Sequence, residues 1–279
     1  MQYNTNQKNF HKMQSMCYNY HMKKLIFFLT LTFLAFSSFA ETRTFYFTRH
    51  GQRGDLKYHY RLQNVTEDRL MPKGILQAEL LGKYMKKINF QGQIYVSPYY
   101  RTLETATVAC NQFTTQNLIL EPRIQEVSHT KNGTKKPYKL KAAITKKEVK
   151  TLFPNVTIPS RVKFPWRFDN EKPADIKLRV GKMIDDLLNE TTGDVFVVCH
   201  GGILNYVIGH MESYHSTFPR PRFNYNCCLY SFTFDTETKQ VIAAQDLTPE
   251  FMPSNLYTDN LAYVLIPPKS NVPDIKLDE

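Results

Sequence analysis

The sequence has few cysteines, and their spacing does not match that of known zinc-binding motifs. Of the five cysteines in 279 residues, four follow the N-terminal segment: Cys110, Cys199, Cys227 and Cys228. Zinc sites group cysteines and histidines at short, regular spacings, and none of those patterns occurs here. We therefore expect no metal site. One disulfide is compatible with four cysteines, but its pairing cannot be read from the sequence, and Cys199 lies in an apolar segment typical of a buried residue.

The N-terminal hydrophobic segment lacks the length of a transmembrane helix. Leu25–Ala40 spans sixteen residues, whereas a helix needs about 20 apolar residues to cross a bilayer. Met22-Lys23-Lys24 places positive charge before this segment, and Ser38-Phe39-Ala40 forms a small-x-small cleavage site at its end. This pattern predicts a signal peptide cleaved near Ala40, and hence a protein of the secretory route or endomembrane lumen with no stable membrane anchor. The alternative is an uncleaved anchor.

Residues 1–21 are polar, rich in Asn and Gln, and unlike the start of a signal peptide. We therefore interpret residues 1–40 as an upstream extension followed by the signal peptide, with translation from Met22 preferred over Met1. Four sequons for N-glycosylation fit export, although they also arise by coincidence: they begin at Asn64, Asn132, Asn155 and Asn189.

Acidic residues are absent from residues 1–40 and from the stretch Val127–Lys147. The whole chain has 36 basic and 25 acidic residues and a net charge of +11, and without the four lysines of residues 1–40 the balance is 32 against 25, or +7. This excess favours anionic partners through long-range attraction. Hydrophobic residues at 42% and charged residues at 22% are ordinary for a globular domain, which argues against both disorder and a membrane bundle.

Strand and helix patterns alternate along the rest of the chain. Strand patterns occur at 44–48, 93–96, 117–120, 194–199 and 230–234, with a hairpin partner beginning at 240, and helix patterns occur at 72–84, 101–112, 173–188 and 203–211. The unbroken apolar run Val195–Val198 is typical of a strand buried on both faces of a parallel sheet. The order predicts one α/β domain, residues 41–279, with a doubly wound, mostly parallel sheet and helices on both faces. The lysine- and proline-rich residues 127–170 are predicted to form an irregular cap insertion.

Residues 47–54, Phe-Thr-Arg-His-Gly-Gln-Arg-Gly, form the most distinctive segment of the sequence. They follow a strand pattern, and their two glycines allow the backbone to turn tightly and to approach a ligand closely. Arg49 and Arg53 flank His50, where their side chains would hold an oxyanion. On its own the tripeptide Arg49-His50-Gly51 recurs by chance, so the interpretation depends on what lies at the other strand ends.

Similar groups follow two further strand patterns. Ser97-Pro98 and then Arg101 follow the second strand, and His200-Gly201-Gly202 follows the strand that ends at Cys199. Because ligands of doubly wound sheets bind beyond the carboxyl ends of the strands, we expect these groups to lie beside His50.

Taken together, these motifs resemble the histidine phosphatase superfamily, which has a phosphoglycerate-mutase-like fold. The resemblance runs from about residue 44 to about residue 246 and rests on these segments: Arg49-His50-Gly51, Gly74 with Gln77-Ala78 and Gly82, Ser97-Pro98 with Arg101, Glu104-Thr105-Ala106, Glu126, and His200-Gly201-Gly202. It implies that His50 is the nucleophile that becomes phosphorylated. It also implies that Arg49, Arg101 and His200 bind the phosphoryl group, that Arg53 matches an extra phosphate-pocket arginine of some members, and that no cofactor is needed.

The general acid is assigned to Glu126 by its resemblance to the family segment. Members of the acid phosphatase branch carry an Asp directly after the second histidine, but Gly201 stands at that position here. The acid must then come from elsewhere, and Glu126 fits the other branch. Glu104 and Glu121 remain alternatives for this role. In that case Glu126 would be an ordinary solvated glutamate in a loop.

Elementary chemistry agrees with those roles. A single guanidinium group can bind two oxygens of a phosphate monoester through two parallel hydrogen bonds. Positive charge near His50 disfavours its protonation and leaves a neutral, nucleophilic imidazole. The other histidines of residues 41–279 have no partners at recognisable spacing and are interpreted as surface or cap residues: His59, His129, His210 and His215.

The sequence therefore predicts a secreted phosphomonoesterase that hydrolyses a small anionic ester through a phosphohistidine, without a metal. The alternatives are a phosphoglycerate-type mutase and a catalytically silent phospho-ligand-binding protein. The lysines of Val127–Lys147 are either a solvated loop or a means of recruiting multiply phosphorylated substrates. Nucleic-acid binding is not expected, because these lysines lack interleaved aromatic residues.

Overall fold

The computed structural model describes residues 22–24, 41–53, 69–114, 117–127, 144–162, 171–212 and 224–258. The chain divides into two compact units, Met1–Glu41 and Thr42–Glu279. Of the first, residues 22–24 and Glu41 are described, and residues 22–24 are helical. Several predictions concern residues outside these ranges: the apolar signal segment, Gly54, His59, His129, His215, the lysines at 131–141, and the sequons at Asn64 and Asn132. No helix among the described residues has the length and hydropathy that a membrane crossing requires.

The described residues of the second unit form a seven-stranded sheet. Its strands are β1 (Thr42–Arg49), β2 (Gln93–Val96), β3 (Leu118–Leu120), β4 (Val156–Thr157), β5 (Val195–Cys199), β6 (Leu229–Asp235) and β7 (Val241–Asp246), in the order β4-β3-β2-β5-β1-β6-β7. Neighbouring strands from β4 to β1 run parallel to one another, while β6 pairs antiparallel with both of its neighbours, β1 and β7. The predicted mostly parallel sheet is confirmed.

Helices cover both faces of this sheet. They are α1 (Pro72–Lys87), α2 (Tyr100–Cys110), α3 (Lys146–Leu152), α4 (Pro173–Glu190) and α5 (Gly201–Met211), with 3₁₀ turns at Pro122–Ile124, Thr248–Glu250 and Ser254–Leu256. Side chains alternate between the two faces of a strand. In β5, Val195 and Val197 accordingly pack with α4 and α5, whereas Phe196 and Val198 pack with α1, α2 and α3. The two resulting cores confirm the doubly wound architecture.

Helix α1 buries only part of the face that its apolar residues predict. Ile75, Leu76, Leu80, Leu81 and Tyr84 recur at helical spacing and are predicted to face the sheet; Leu81 and Tyr84 are buried, whereas Leu76 is 39% exposed. The buried stripe also contains Gln77 and two glycines, Gly74 and Gly82. A Cβ at Gly74 would collide with the backbone of Gln52, and one at Gly82 with the backbone of α2. Close backbone approach at these two glycines therefore helps to set the rotation of the helix.

Residues 144–162 fall within the predicted irregular insertion, yet they contain α3 and β4. Thr145 and Glu148 form a reciprocal capping box that begins α3, and Val149 is buried beneath it. Strand β4 then pairs with β3 and extends the sheet by one edge strand. Regular structure forms here because a local cap and four buried apolar side chains, Ile144, Val149, Phe153 and Val156, offset the high charge of the segment.

The four described cysteines are free and buried. Burial raises the pKa of the Cys110 and Cys228 thiols to about 12, so both remain protonated at neutral pH.

His210 was expected at the surface or in the cap. It lies instead between two helices, with its ring against Gly181 of α4 and Nε2 3.2 Å from Asp185 Oδ1.

Candidate active site

The carboxyl ends of β2, β5 and β1 lie side by side in the sheet, and a polar residue follows each. The backbone N–H of Ser97 donates to Val198 O at 3.1 Å, and that of His50 donates to Cys199 O at 3.0 Å. The centroids of the His50 and His200 rings are 5.4 Å apart. The sheet thus brings together the three groups that the sequence places at three separate strand ends.

One nitrogen of the His50 ring is committed by its neighbour. Nδ1 lies 2.8 Å from the carbonyl oxygen of Gly51. A carbonyl only accepts hydrogen bonds, so Nδ1 carries the proton and Nε2 carries the lone pair. His50 is 2% exposed, and the N–H of Gly51 donates to Thr105 Oγ1 at 2.9 Å. The tautomer and the backbone position of His50 are therefore both fixed.

A buried chain of hydrogen bonds holds the His50 loop from both sides. On one side, the N–H of Gln52 donates to Gln77 Oε1 at 2.8 Å. On the other, Asn226 Nδ2 donates to His50 O at 3.0 Å. Thr258 joins the two amides: it accepts from Gln77 at 2.9 Å and donates to Asn226 at 3.0 Å. Sequence reasoning missed Asn226 and Thr258, since single polar residues far apart in the chain form no pattern.

His200 is also oriented through one of its ring nitrogens. Its Nε2 lies 2.7 Å from Ser97 Oγ. Its Nδ1 is buried and has no hydrogen-bond partner in the part of the chain that the structure describes. Helix α5 begins directly after His200, and the first N–H groups of a helix carry partial positive charge. This end of the sheet therefore combines an unpartnered imidazole nitrogen with a helix N-terminus.

Three arginines surround the two imidazoles. Arg49 and Arg101 are 8% and 3% exposed, and Arg53 is half-buried in a bridge to Leu70. The Arg49 guanidinium donates to the carbonyl oxygen of Asn224 at 2.5 Å. The Arg101 guanidinium stacks 4.6 Å from the centre of the Tyr99 ring.

Both histidines are held neutral by this environment. Burial lowers the pKa of His50 well below its usual range, and the charges of Arg101, Arg49 and Arg53 lower it further. Burial likewise lowers the pKa of His200, again with help from the three arginines. The site therefore presents positive charge from guanidinium groups and an uncharged nucleophilic nitrogen.

Glu126 lies at the start of α5, close to His200. A Cβ at Gly202 would be 2.5 Å from Glu126 Oε1, so the carboxylate rests on the first turn of that helix. The N–H of Val127 donates to the same oxygen at 2.9 Å. The carboxylates of the two alternatives are engaged elsewhere: Glu104 accepts from Arg69 at 2.7 Å and Glu121 from Arg123 at 2.7 Å. Of the three candidates, Glu126 is the one that contacts α5 beside His200.

The segment that carries Glu126 is held by a buried arginine of α4. Arg179 donates to the carbonyl oxygens of Arg123 at 2.5 Å and Gln125 at 3.3 Å. Its own charge is paired with Glu171, whose Oε2 lies 2.7 Å from the guanidinium. Sequence reasoning missed Arg179, because a basic residue within a helix pattern resembles a solvated one.

The arrangement suits transfer of an anionic group to His50. Guanidinium groups and imidazole N–H groups are donors that bind oxyanions, Nε2 of His50 supplies a lone pair, and a carboxyl group stands nearby. The described residues contain no cluster of three His, Cys, Asp or Glu side chains that could hold a metal ion.

A family model and solved structures match this chain. A model of the histidine phosphatase superfamily (branch 1) matches residues 45–247. The fold is similar to that of the ecdysone phosphate phosphatase from Bombix mori, solved with tungstate, at a TM-score of 0.54 and 19% identity, covering 76% of this chain and 94% of that one. A comparison with curated proteins gives no match.

Two further solved structures align with the chain at lower TM-scores. The phosphoglycerate mutase from Bacillus anthracis aligns at a TM-score of 0.45 and 18% identity, covering 74% of this chain and 92% of that one. The phosphoserine phosphatase from Entamoeba histolytica, in complex with 3-phosphoglyceric acid, aligns at 0.44 and 20% identity, covering 73% and 97%.

Proposed function

The chain belongs to the histidine phosphatase superfamily (branch 1), and on that premise we propose that it is a metal-independent phosphomonoesterase that works through a phosphohistidine. Members of this superfamily are phosphatases or mutases. The observation that carries the proposal is the state of His50. Its Nδ1 is tied to Gly51 O at 2.8 Å, which leaves Nε2 unprotonated beside the buried guanidinium groups of Arg49 and Arg101.

The substrate's phosphoryl group binds among the positive charges at the strand ends. Arg49, Arg53 and Arg101 pair with its oxygens, and Nδ1–H of His200 donates to another. A phosphate monoester carries close to two negative charges at neutral pH, so several guanidinium groups are needed to offset its desolvation. These groups also stabilise the charge on the equatorial oxygens in the transition state.

The reaction proceeds in two steps that share one intermediate. In the first, His50 Nε2 attacks phosphorus, the bond to the alcohol oxygen breaks, and Glu126 gives its proton to that oxygen. In the second, Glu126 takes a proton from water, the water oxygen attacks phosphorus, and the bond to Nε2 breaks to release inorganic phosphate. Glu126 ends the cycle protonated, as it began, so protons and atoms balance.

Detection of the intermediate tests the proposal. A substrate with radiolabelled phosphate should transfer label to the protein in a form that is stable to base and labile to acid. His50→Ala should abolish the label and reduce turnover by at least about 10³-fold, as expected for loss of a nucleophile. His210→Ala is the matched control, because His210 pairs with Asp185 between helices. Equal labelling in His50→Ala would refute the mechanism.

The same assay separates hydrolysis from the two alternatives. With phosphoglycerates and a panel of sugar, nucleotide, inositol and peptide monoesters, a phosphatase releases inorganic phosphate. A mutase returns the phosphoryl group to the product, so it yields an isomer with little free phosphate. A silent binding protein gives neither product, although it still binds inorganic phosphate.

We also propose that the protein is exported and glycosylated. The support is the signal-peptide pattern that ends at Ala40, together with two described sequons: Asn189 is exposed, and Asn155 is half-exposed. N-terminal sequencing of the protein made in its own cells should give a chain that begins near Glu41. Retention of residues 25–40 on a protein that resists carbonate extraction would establish the anchored form instead.

A further inference from the structure

A pocket of about 310 Å³ opens beside Glu126, at the start of α5. Among the described residues it is lined by Val127, Gly202, Asn205 and Tyr206. Val127 follows Glu126 in the chain, and Gly202 is the residue on which the Glu126 carboxylate rests. A group held in this pocket therefore lies next to the carboxyl that protonates the leaving oxygen in the proposed reaction.

The described lining is uncharged and partly apolar. Val127 contributes an aliphatic side chain, and Tyr206 contributes a half-buried aromatic ring that packs against the core beneath it. No Lys, Arg, His, Asp or Glu is among these described lining residues. None of these described residues offers a counter-charge to the desolvated group of an anionic substituent, whereas the valine and tyrosine side chains favour an apolar ring.

One side chain of the lining offers a directed hydrogen bond. Asn205 Oδ1 accepts from Asn224 Nδ2 at 2.9 Å, and the same Nδ2 donates to Gly201 O at 3.0 Å. With its oxygen engaged, Asn205 presents its own amide N–H groups, which have no partner among the described residues. Asn224 also accepts from the Arg49 guanidinium at 2.5 Å, so the rim of this pocket is joined to the phosphoryl site.

We infer that this pocket binds the alcohol part of the substrate, and that the preferred alcohol is small, uncharged and contains one ring with a hydrogen-bond acceptor. This inference rests on the proposed phosphatase function. Ligand pockets range from about 300 to about 1,000 Å³, so the volume lies at the small end of that range. A dry cavity of about 150 Å³ in another protein binds benzene, so a substituted ring fits here.

Binding of inert phosphonates tests the pocket without depending on turnover. Phenylphosphonate fills both the phosphoryl site and the pocket, whereas methylphosphonate fills the first alone. We expect calorimetry to show about tenfold or more tighter binding of phenylphosphonate, the usual contribution of one well-buried hydrophobic group. Tyr206→Ala should reduce this preference to within about twofold and leave methylphosphonate affinity unchanged. Tyr206→Phe, which keeps the ring, is the matched control and should retain the preference.

Two results would overturn the inference. In one, Tyr206→Ala weakens both phosphonates equally, which would make Tyr206 a structural residue. In the other, the anionic phosphonoacetate binds the wild type more tightly than phenylphosphonate, which would exclude an uncharged alcohol. Tyr206→Leu, which keeps an apolar side chain against the core, replaces the alanine variant if that variant does not fold. Absence of hydrolysis and of His50 labelling would count against the proposed function alone, since the phosphonate preference is measured independently.

Discussion

Ser97 Oγ lies 2.7 Å from His200 Nε2, and the direction of this hydrogen bond sets which ring nitrogen carries the proton. When the hydroxyl donates to Nε2, the proton of the neutral imidazole sits on Nδ1, the buried atom that an anion would meet. Ser97→Ala should therefore weaken binding of inorganic phosphate about fivefold, since one such hydrogen bond contributes about 1 kcal/mol. Calorimetry measures the affinity, and ¹⁵N chemical shifts of the ring report the tautomer.

Ser231→Ala serves as the control for this change. Ser231 is a serine of β6 that is 7% exposed. If both variants bind phosphate as the wild type does, and the ¹⁵N shifts of His200 do not move in Ser97→Ala, the serine does not set the tautomer.

Protonation of the buried histidines should make the protein less stable in mild acid. In the unfolded chain a histidine has a pKa of about 6.5, whereas burial and the arginines lower the pKa of His50 and His200 well below that in the fold. Below pH 6.5 the unfolded state therefore binds more protons, so the free energy of unfolding falls as the pH falls. At pH 5.5 the loss is at most about 1.4 kcal/mol for each histidine relative to pH above 7.5, the value reached when the folded protein binds no proton there.

Urea unfolding at pH 7.5 and pH 5.5 measures this loss. Other groups also titrate in this range, so the informative quantity is the difference between wild type and His200→Gln. We expect the wild type to lose more than the variant between the two pH values, by at most about 1.4 kcal/mol. Equal losses would mean that His200 binds its proton as readily in the folded protein as in the unfolded one.

The sequence was sufficient to place the catalytic candidates because each lies directly after a strand pattern. His50, Ser97 and His200 follow β1, β2 and β5, and parallel strands end on the same edge of a sheet. The order of the strands along the chain does not show that these three are neighbours in the sheet, since β5 inserts between β1 and β2. The rule that ligands bind beyond the carboxyl ends of the strands grouped the three motifs, and the family resemblance assigned their roles.

The supporting contacts could not be predicted, because they depend on packing between distant segments. The rotation of α1 depends on Gly74 and Gly82, where backbones meet, as well as on its apolar residues. That rotation buries Gln77, whose amide then reaches Gln52 and Thr258. Hydrophobic periodicity carries no information on such contacts, since it records which residues are apolar and not which backbones touch.

Glu126→Gln should slow turnover most for substrates with poor leaving groups. A general acid contributes about 10²–10⁴-fold to rate, and this contribution is needed least when the leaving oxygen is already stable as an anion. We expect a loss of that size with methyl phosphate and a much smaller loss with p-nitrophenyl phosphate, measured as kcat. Glu104→Gln is the matched control, because Glu104 binds Arg69 instead. The same proportional loss on both esters in Glu126→Gln would exclude leaving-group protonation by this residue.

Arg179 should act on the reaction through the position of Glu126. Its guanidinium holds the carbonyl oxygens of Arg123 and Gln125, so its removal frees the backbone directly before the carboxyl group. Replacing Arg179 alone would leave the buried charge of Glu171 unpaired, at a cost of about 3–5 kcal/mol. The informative variant is therefore the double change Glu171→Gln with Arg179→Gln, which removes both charges together.

In this double variant we expect kcat to fall about tenfold with methyl phosphate and little with p-nitrophenyl phosphate, since a displaced general acid loses part of its contribution of about 10²–10⁴-fold. Arg179→Lys, which keeps the charge opposite Glu171 but cannot hold two carbonyl groups, should give an intermediate loss. A merely structural role would lower kcat equally for the two esters in proportion to the folded fraction. Lys182→Gln is the control on the same helix, since Lys182 is exposed and pairs with Asp186. Wild-type selectivity between the esters in the folded double variant would show that Glu126 keeps its position without Arg179.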